Sequence, residues 1–111
     1  MRIKLFHPKL FGAHMAERYS VYWTSEAQLQ VNRILQYILD NWTERECQDF
    51  LDILFHFERT IAAFPKLFKE SHKLKGVRLG FVHKHITAVY KLSKNQITVL
   101  TVIDNRMDLE R

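Results

Sequence analysis

The chain has 111 residues, of which 47% are hydrophobic and 26% are charged. This composition excludes a disordered chain, and the length is that of one small domain with a buried core. The net charge of +5 indicates an acidic partner, such as nucleic acid, a ribonucleoprotein or an acidic polypeptide, although the same charge also serves solubility alone. The single cysteine excludes an internal disulfide framework and fits a reducing compartment.

Residues 1–14 show neither helical nor strand periodicity, and Met15 opens a segment that looks like a natural start. We interpret residues 1–14 as an N-terminal extension, with a terminal arm packed on the domain as the alternative. Residues 15–111 are predicted to form one domain. The basic start lacks the long apolar segment of a secretory signal, and no apolar run approaches a membrane span, so we expect a cytoplasmic protein without membrane contact.

Residues 19–23 are a strand candidate, and a helix is predicted directly after them. Thr24 and Ser25 supply hydroxyl N-caps, and residues 40–41 end the helix. Between these limits the apolar residues recur at helical spacing, which predicts one buried face. Those apolar residues are Ala27, Val31, Ile34, Leu35, Ile38 and Leu39.

A second helix is predicted between a capping box and a proline. Thr43 is followed three residues later by Glu46, and Pro65 pushes the residue before it out of the helical region. The two helices therefore form an αα-hairpin with a very short turn. The apolar stripe of the second helix is Cys47, Phe50, Leu51, Leu54, Phe57, Ile61 and Phe64. The acidic residues Glu44, Glu46, Asp49, Asp52 and Glu58 are expected on its solvated face.

Three strands are predicted in the C-terminal part of the chain, after a charged connection anchored by Leu67 and Phe68. Residues 77–82 alternate with period two, residues 86–90 are rich in β-branched and aromatic types, and residues 97–103 are nearly all apolar, as in a central strand. Short connections favour an antiparallel meander. The predicted fold class is α+β: an N-terminal strand, an αα-hairpin and a three-stranded antiparallel meander, with the helices packed on one face and the other face polar and basic.

Positive charge is concentrated in this C-terminal part. Residues 1–65 carry a net charge of −1, whereas residues 66–111 carry +6. The asymmetry favours a basic face that binds a target or an acidic partner chain. Arginine can also clamp a phosphate or carboxylate with two hydrogen bonds. The residues of this predicted face are Lys73, Lys75, Arg78, Lys84, Lys91, Lys94 and Arg106.

His83 and His85 flank Lys84 in a predicted turn. A metal site needs three or four converging ligands, and no Cys, Asp or Glu is spaced to complete one here, so partner contact is favoured and no metal ion is expected. No glycine-rich phosphate loop or nucleophile elbow is present, and no cofactor is expected. Cys47 falls among apolar helix positions, which predicts a buried, inert thiol.

Several short segments follow one another in a characteristic order. They are Tyr22-Trp23-Thr24 with Ala27, Tyr37-Ile38 and Trp42, Phe64-Pro65, Arg78, Val89-Tyr90-Lys91-Leu92, Ile97-Thr98-Val99-Leu100 and Asp104-Asn105-Arg106. This order resembles that of the RelE/ParE toxin superfamily, over a stretch from about residue 19 to residue 106. The resemblance implies a bacterial toxin of a type II toxin–antitoxin system, which inhibits growth and stabilises plasmids. It also implies an acidic, partly disordered antitoxin partner, and either a homodimer or a toxin–antitoxin heterotetramer.

The superfamily contains ribosome-dependent ribonucleases of RelE type and gyrase inhibitors of ParE type. RelE-type members use lysines on the first meander strand, an arginine on the second, and an arginine followed by a tyrosine or histidine near the C-terminus. In this alignment Arg78 could replace one basic residue, but Gly80 and Thr87 stand at two of the other basic positions. Arg106 matches the late arginine, and no tyrosine or histidine follows it.

Because this ribonuclease set is incomplete, the ParE-like side is favoured. The preferred hypothesis is a non-enzymatic toxin that binds a protein target such as DNA gyrase. The alternative is a messenger RNA endoribonuclease acting on the ribosome, with Arg78, Arg106, His83 and His85 as candidate catalytic residues. A third alternative is a basic interaction domain without toxicity. Whether the protein is an enzyme therefore stays open at this point.

Overall fold

The structure is a computed structural model that describes residues 19–108, so the interpretation of residues 1–14 lies outside the described residues. Both predicted helices and all four predicted strands are present. A last helical turn was not predicted. In chain order the elements are β1 (Ser20–Trp23), α1 (Ser25–Asn41), α2 (Glu44–Ala63), β2 (Val77–His83), β3 (Ile86–Ser93), β4 (Gln96–Asp104) and α3 (Asn105–Asp108).

The four strands form one sheet in the order β1-β4-β3-β2. β2, β3 and β4 are the predicted antiparallel meander, and β1 pairs with β4 in parallel. The predicted central position of β4 is confirmed, because β4 lies between β1 and β3. A parallel pair needs a crossover connection, and the αα-hairpin is part of the chain that joins β1 to β4.

Both helices pack on one face of this sheet and close a single core, which confirms the α+β prediction. Each helix contributes one apolar stripe, and the inner faces of β3 and β4 contribute the other side. The largest fully buried apolar side chains are Trp23, Tyr90, Ile34, Leu54, Ile61, Ile97, Val31, Val99 and Val102. No helix within residues 19–108 is long and apolar enough to cross a membrane.

Thr24 connects the start of α1 to an irregularity in β4. Its hydroxyl accepts a hydrogen bond from the Ala27 N–H at 3.0 Å, as the predicted N-cap should. The same hydroxyl donates to the carbonyl of Leu100 at 2.9 Å. The β3–β4 register shifts at this point, because Val89 pairs with Thr101 and Tyr90 with Val99, so Leu100 is the extra residue of a bulge.

Glu58 is not on the solvated face of α2, and that part of the prediction is wrong. Its side chain is 1% exposed, and its Oε2 accepts a hydrogen bond from Trp23 Nε1 at 2.7 Å. The helical period explains the position, because Glu58 follows Leu54 by four residues and precedes Ile61 by three. The buried hydrogen bond ties α2 to β1. Phe64 also departs from the prediction, since it follows the end of the helix and is exposed.

The outer face of the sheet had been expected to be polar and basic. The structure shows that it also carries exposed apolar residues. In β2 the inward positions are Arg78, Gly80 and Val82, whereas Leu79 and Phe81 are 50% and 63% exposed. The register explains this, because Gly80 pairs with the fully buried Ala88 of β3 and so must face the helices. The outer face therefore carries an apolar strip at the β2 edge.

Candidate functional site

The C-terminal end of β2 and the turn between the helices enclose a cleft of about 470 Å³. His83, Lys84 and His85 line one wall: Lys84 and His85 form the β2–β3 turn, whereas His83, predicted in that turn, is the last residue of β2. Arg106 reaches the same cleft from α3, which begins directly after β4. Three of the four candidate catalytic residues, Arg106 and the two histidines, are therefore brought together. The remaining lining residues are Ile38, Trp42, Glu46, Asp49, Phe50, Ile53 and Ile86.

Arg106 is held in this cleft by contacts within the chain. Its Nε and Nη2 donate to the two carboxylate oxygens of Asp104 at 3.0 and 2.6 Å, and Asp104 is 3% exposed. The guanidinium also lies 5.1 Å from the ring centroid of Trp42 and 5.8 Å from that of Tyr37. The hydrogen bonds to Asp104 raise the pKa of Arg106. In the unbound protein, the Asp104 carboxylate therefore largely neutralises the positive charge of Arg106.

The opposite wall of the cleft is acidic, since Glu46 and Asp49 project from the first turns of α2. Glu46 is engaged at the helix start, where its carboxylate accepts the backbone N–H of Thr43 at 3.0 Å. Hydrogen bonds from Thr43 lower the pKa of Glu46. The cleft therefore combines cationic and anionic groups. Such an arrangement suits a polar protein segment better than a phosphate backbone, which calls for unopposed positive charge.

Arg78 lies at the other end of β2. It is five residues before His83, roughly 17 Å along an extended strand. Its Nη1 donates to the backbone carbonyl of Phe68 at 2.7 Å, and its cross-strand partner is Tyr90. The Tyr90 hydroxyl donates to the Pro65 carbonyl at 2.7 Å, and burial raises the pKa of Tyr90. Arg78 and Tyr90 thus fasten the connection between α2 and β2.

Gly80 explains why a second basic side chain is absent from this strand. A Cβ atom built on Gly80 would lie 2.5 Å from Cζ of Phe57. Phe57 cannot easily move away, because it is 4% exposed and packs against Phe68 and Tyr90 with ring centroids 5.7 and 6.3 Å apart. The space that a lysine at this position would enter is filled by the Phe57 ring.

The remaining members of the predicted basic face are exposed and divide between the two ends of the sheet. Lys84 belongs to the cleft end. Lys91 and Lys94 lie at the opposite end, where Lys91 pairs with Val77 and Lys94 lies in the β3–β4 turn. Lys73 and Lys75 precede Val77 in the same region. Four lysines and Arg78 are thus grouped away from the cleft.

Sequence reasoning missed the residues that control the charge of the cleft. Asp104 and Trp42 had been considered only as parts of the resemblance, and Trp42 is 46% exposed. The spacing of Asp104 and Arg106, two residues apart across a strand end, is the signal that could have indicated the ion pair.

Two further predictions concern metal ions and the cysteine. Within residues 19–108, no group of three or more His, Cys, Asp or Glu side chains is placed to hold a metal ion. Cys47 is buried as predicted, and its Sγ donates to the Leu35 carbonyl at 3.6 Å. Burial raises the pKa of the Cys47 thiol, which disfavours the nucleophilic thiolate.

Comparison with known proteins finds this architecture in solved structures, but no match by sequence. No protein-family model matches the chain, and no curated protein matches it by sequence. Among solved structures, a chain of the chromosomal ParDE TA system from P. aeruginosa aligns with a TM-score of 0.68 and 14% identity, covering 78% of this chain and 96% of that one. A chain of the E. coli DinJ-YafQ toxin-antitoxin complex aligns with a TM-score of 0.50 and 13% identity, covering 81% and 96%. The chain therefore has a RelE/ParE toxin-like fold.

Proposed function

We propose that this protein is the toxin of a type II toxin–antitoxin system and that it arrests growth by binding a protein target such as DNA gyrase. The likeness of the fold to the ParDE and DinJ-YafQ proteins supports the toxin role. The cognate antitoxin is then an acidic chain, drawn to the basic residues Lys73, Lys75, Arg78, Lys91 and Lys94.

The observation that favours a protein target over RNA cleavage is the packing of Phe57 on Gly80. A ribonuclease of RelE type stabilises the charge of the cleaved phosphate with several free basic groups. Here one such position is filled by an aromatic ring, and the Arg106 guanidinium is bound to Asp104. Binding to a protein surface does not require free basic groups at these positions.

RNA cleavage is the second candidate, and one observation supports it. His83, His85 and Arg106 line the same cleft, so two titratable imidazoles lie near a cationic group. In this alternative the histidines would transfer protons and Arg106 would bind the phosphate after release from Asp104. The acidic wall formed by Glu46 and Asp49 weighs against this alternative.

Expression in a bacterial host tests the toxin role. We expect the intact protein to arrest growth, and co-expression of a neighbouring antitoxin gene to restore it. Purified protein is then assayed for gyrase-dependent DNA cleavage and for cleavage of message in a translating extract. Cleaved message with unaffected gyrase would replace the preferred function by the second candidate, and absence of growth arrest would leave a non-toxic interaction domain.

Arg78→Ala tests the proposed binding face. We expect weaker growth arrest with a retained fold, because the variant removes a positive charge that no carboxylate offsets among the described residues. Arg33→Ala is the matched control, because Arg33 is an exposed arginine on α1, a helix that packs chiefly on β4. Equal arrest by both variants, with circular dichroism like that of the parent protein, would remove Arg78 from the binding face.

A further inference from the structure

Three large apolar side chains project into solvent from the connection between α2 and β2, residues 64–76. They are Phe64, Leu67 and Leu74, which are 66%, 59% and 59% exposed. Leu67 had been expected to anchor the connection together with Phe68, but of these two only Phe68 packs on the domain, against the ring of Phe57. Single exposed apolar residues are ordinary on a protein surface, whereas three within one short connection indicate a binding surface.

Hydrogen bonds hold the backbone of this connection in place. The Ser71 N–H donates to the Val77 carbonyl at 2.6 Å, which pairs the middle of the connection with the start of β2. At the following turn the Gly76 N–H donates to the carboxylate of Glu70 at 2.7 Å. Burying the exposed side chains against the domain would break these bonds. Their exposure is therefore a property of the folded connection.

Positive charge is interspersed with the apolar side chains. Residues 64–76 contain four lysines and one acidic residue, a net charge of +3. The lysines are Lys66, Lys69, Lys73 and Lys75, and all four are exposed. The acidic residue, Glu70, is engaged with the Gly76 N–H. The connection therefore presents apolar side chains and ammonium groups on the same surface.

An anionic lipid membrane is the partner that uses both kinds of side chain. Apolar side chains at such a surface enter the boundary between the headgroups and the acyl chains, while lysines interact with the lipid phosphates. The phosphate backbone of a nucleic acid would attract the lysines but leave the apolar side chains in water. A second copy of this chain would bring together two connections of like charge, which repel each other.

The shape of the surface also favours lipid over a folded partner. Side chains that carry the binding energy of a protein interface fill pockets. Phe64, Leu67 and Leu74 line neither the groove of about 500 Å³ between α2 and β2 nor the cleft at Arg106. A lipid surface requires no pocket, because the acyl chains adapt to the side chains that enter them.

The helical part of the molecule carries the opposite sign of charge. Residues 19–65 contain three arginines, no lysine and seven acidic residues, a net charge of −4. An anionic surface repels this part of the protein and attracts the connection. Electrostatics therefore orient the molecule with residues 64–76 toward the lipid.

We propose that the connection between α2 and β2, residues 64–76, docks the protein reversibly on the surface of an anionic lipid membrane. Phe64, Leu67 and Leu74 enter the interface, and the four lysines contact the lipid phosphates. The expectation of no membrane contact rested on the lack of a spanning segment, and surface docking requires none. The inference goes beyond the proposed function and does not depend on it, although an acidic antitoxin drawn to Lys73 and Lys75 would compete with the membrane.

Sedimentation with sucrose-loaded vesicles tests this inference on the purified full chain. The vesicles contain phosphatidylcholine, either alone or mixed with anionic phosphatidylglycerol. We expect binding at least about tenfold tighter to the anionic vesicles, and loss of this difference at high salt, because several lysines contribute to the attraction. Absence of binding to the anionic vesicles, or equal binding to both kinds, would overturn the inference.

A variant that combines Leu67→Gln with Leu74→Gln tests the insertion of apolar side chains. It keeps the net charge, and we expect binding to the anionic vesicles to be at least about tenfold weaker, because two apolar side chains no longer leave water. Leu29→Gln is the control, since Leu29 is 53% exposed on α1, and it should bind like the parent protein. Unchanged binding by the double variant, with an unaltered circular dichroism spectrum, would mean that charge alone attracts the protein and would contradict docking.

Lys73→Gln tests the contribution of the lysines. Removal of one ammonium group near the lipid surface should weaken binding by about fivefold. Arg33→Gln removes the same charge from an exposed position on α1 and should change binding little. Equal losses for the two variants would show that the net charge of the protein, and not the connection, controls binding, and would overturn the inference.

The same preparations test the other occupants of this surface. Fluorescence anisotropy with a duplex DNA and with an oligoglutamate peptide should show weaker binding than to anionic vesicles at the same salt concentration. Tighter binding of either probe, unchanged in the Leu67 and Leu74 double variant, would assign the lysines to that partner and overturn the inference. In light scattering we expect the double variant to keep the oligomeric state of the parent protein. A parent dimer that the double variant converts to monomers would assign the surface to a second copy.

Discussion

Arg78 and Arg106 look equivalent in the sequence, but they have different electrostatic environments at the two ends of the sheet. Arg78 donates to a neutral backbone carbonyl, that of Phe68, and keeps its charge. Arg106 donates through two nitrogens to the buried carboxylate of Asp104, which offsets its charge. A count of basic residues treats both alike. The comparison teaches that the positive charge available to a partner lies at the Arg78 end, together with the four lysines grouped there.

The two ends are also stabilised differently. Around Arg78 the connection is held by packing, because Phe57 fills the space over Gly80 and contacts Phe68 and Tyr90. Around Arg106 the chain is held by an ion pair over the Trp42 ring. Variants that remove one element at a time should therefore produce different responses at the two ends.

Phe57→Ala should have the largest effect. It removes a buried aromatic ring, and we expect the free energy of unfolding to fall by about 3–5 kcal/mol in urea denaturation. A second substitution sharpens the comparison: Gly80→Ala should destabilise the parent protein by about 1–3 kcal/mol because of the contact with Phe57. In the Phe57→Ala background the same change should cost almost nothing. Additive effects of the two substitutions would show that Phe57 does not limit the space at Gly80.

Asp104→Asn should have an intermediate effect at the other end. It weakens three hydrogen bonds to Arg106 and leaves the guanidinium without a carboxylate partner, which should lower the free energy of unfolding by about 2 kcal/mol. The value is modest for a buried carboxylate because the Arg106 side chain is 26% exposed. Asp40→Asn makes the same charge change at an exposed site on α1 and should change stability little. If both variants lost similar stability, the net charge of the protein, and not the Asp104–Arg106 ion pair, would explain the effect.

Tyr90→Phe should have the smallest effect near neutral pH, about 1 kcal/mol, because it removes one hydrogen bond to the Pro65 carbonyl. Burial raises the pKa of Tyr90 above its ordinary value of 10.0, so the phenol ionises earlier in the unfolded chain than in the folded one. This contribution to stability is complete below pH 10 and is lost as the pH rises through the folded-state pKa. Urea denaturation at a series of alkaline pH values should therefore show a shallower decline for Tyr90→Phe than for the parent protein. If the free energy of unfolding fell equally steeply with pH in both proteins, groups other than Tyr90 would control the loss of stability at alkaline pH.

The elements of this fold could be predicted because each has a local signal. Thr24 and Thr43 mark the helix starts, and Pro65 marks an end. No such signal showed which face of β2 points toward the helices, because apolar residues occur on both faces of the strand. The inner face was decided by its pairing with Ala88 and Tyr90, which a local pattern does not contain. Glu58 could have been recognised, because its spacing from Leu54 and Ile61 places it on the apolar stripe.

The candidate site was predictable as a list of residues and not as an arrangement. His85 was placed correctly in a turn and Arg106 after the last strand, whereas His83 is the last residue of β2. Their common cleft depends on the helix turn at Trp42 meeting the end of the meander, a contact between distant parts of the chain. The ion pair with Asp104 then changed what Arg106 can bind.

The pairing of β1 with β4 has a consequence for how the chain folds. The hydroxyl of Thr24 bonds the carbonyl of Leu100 across 76 positions of sequence, whereas the helix hairpin and the meander contain mostly local contacts. Contacts of long sequence separation form late, because the loop that they close must first be ordered. During synthesis the first strand must therefore wait for β4, and the sheet is complete only after β4 has left the ribosome. A chain shortened before β4 would lack both the centre of its sheet and the partner of its first strand.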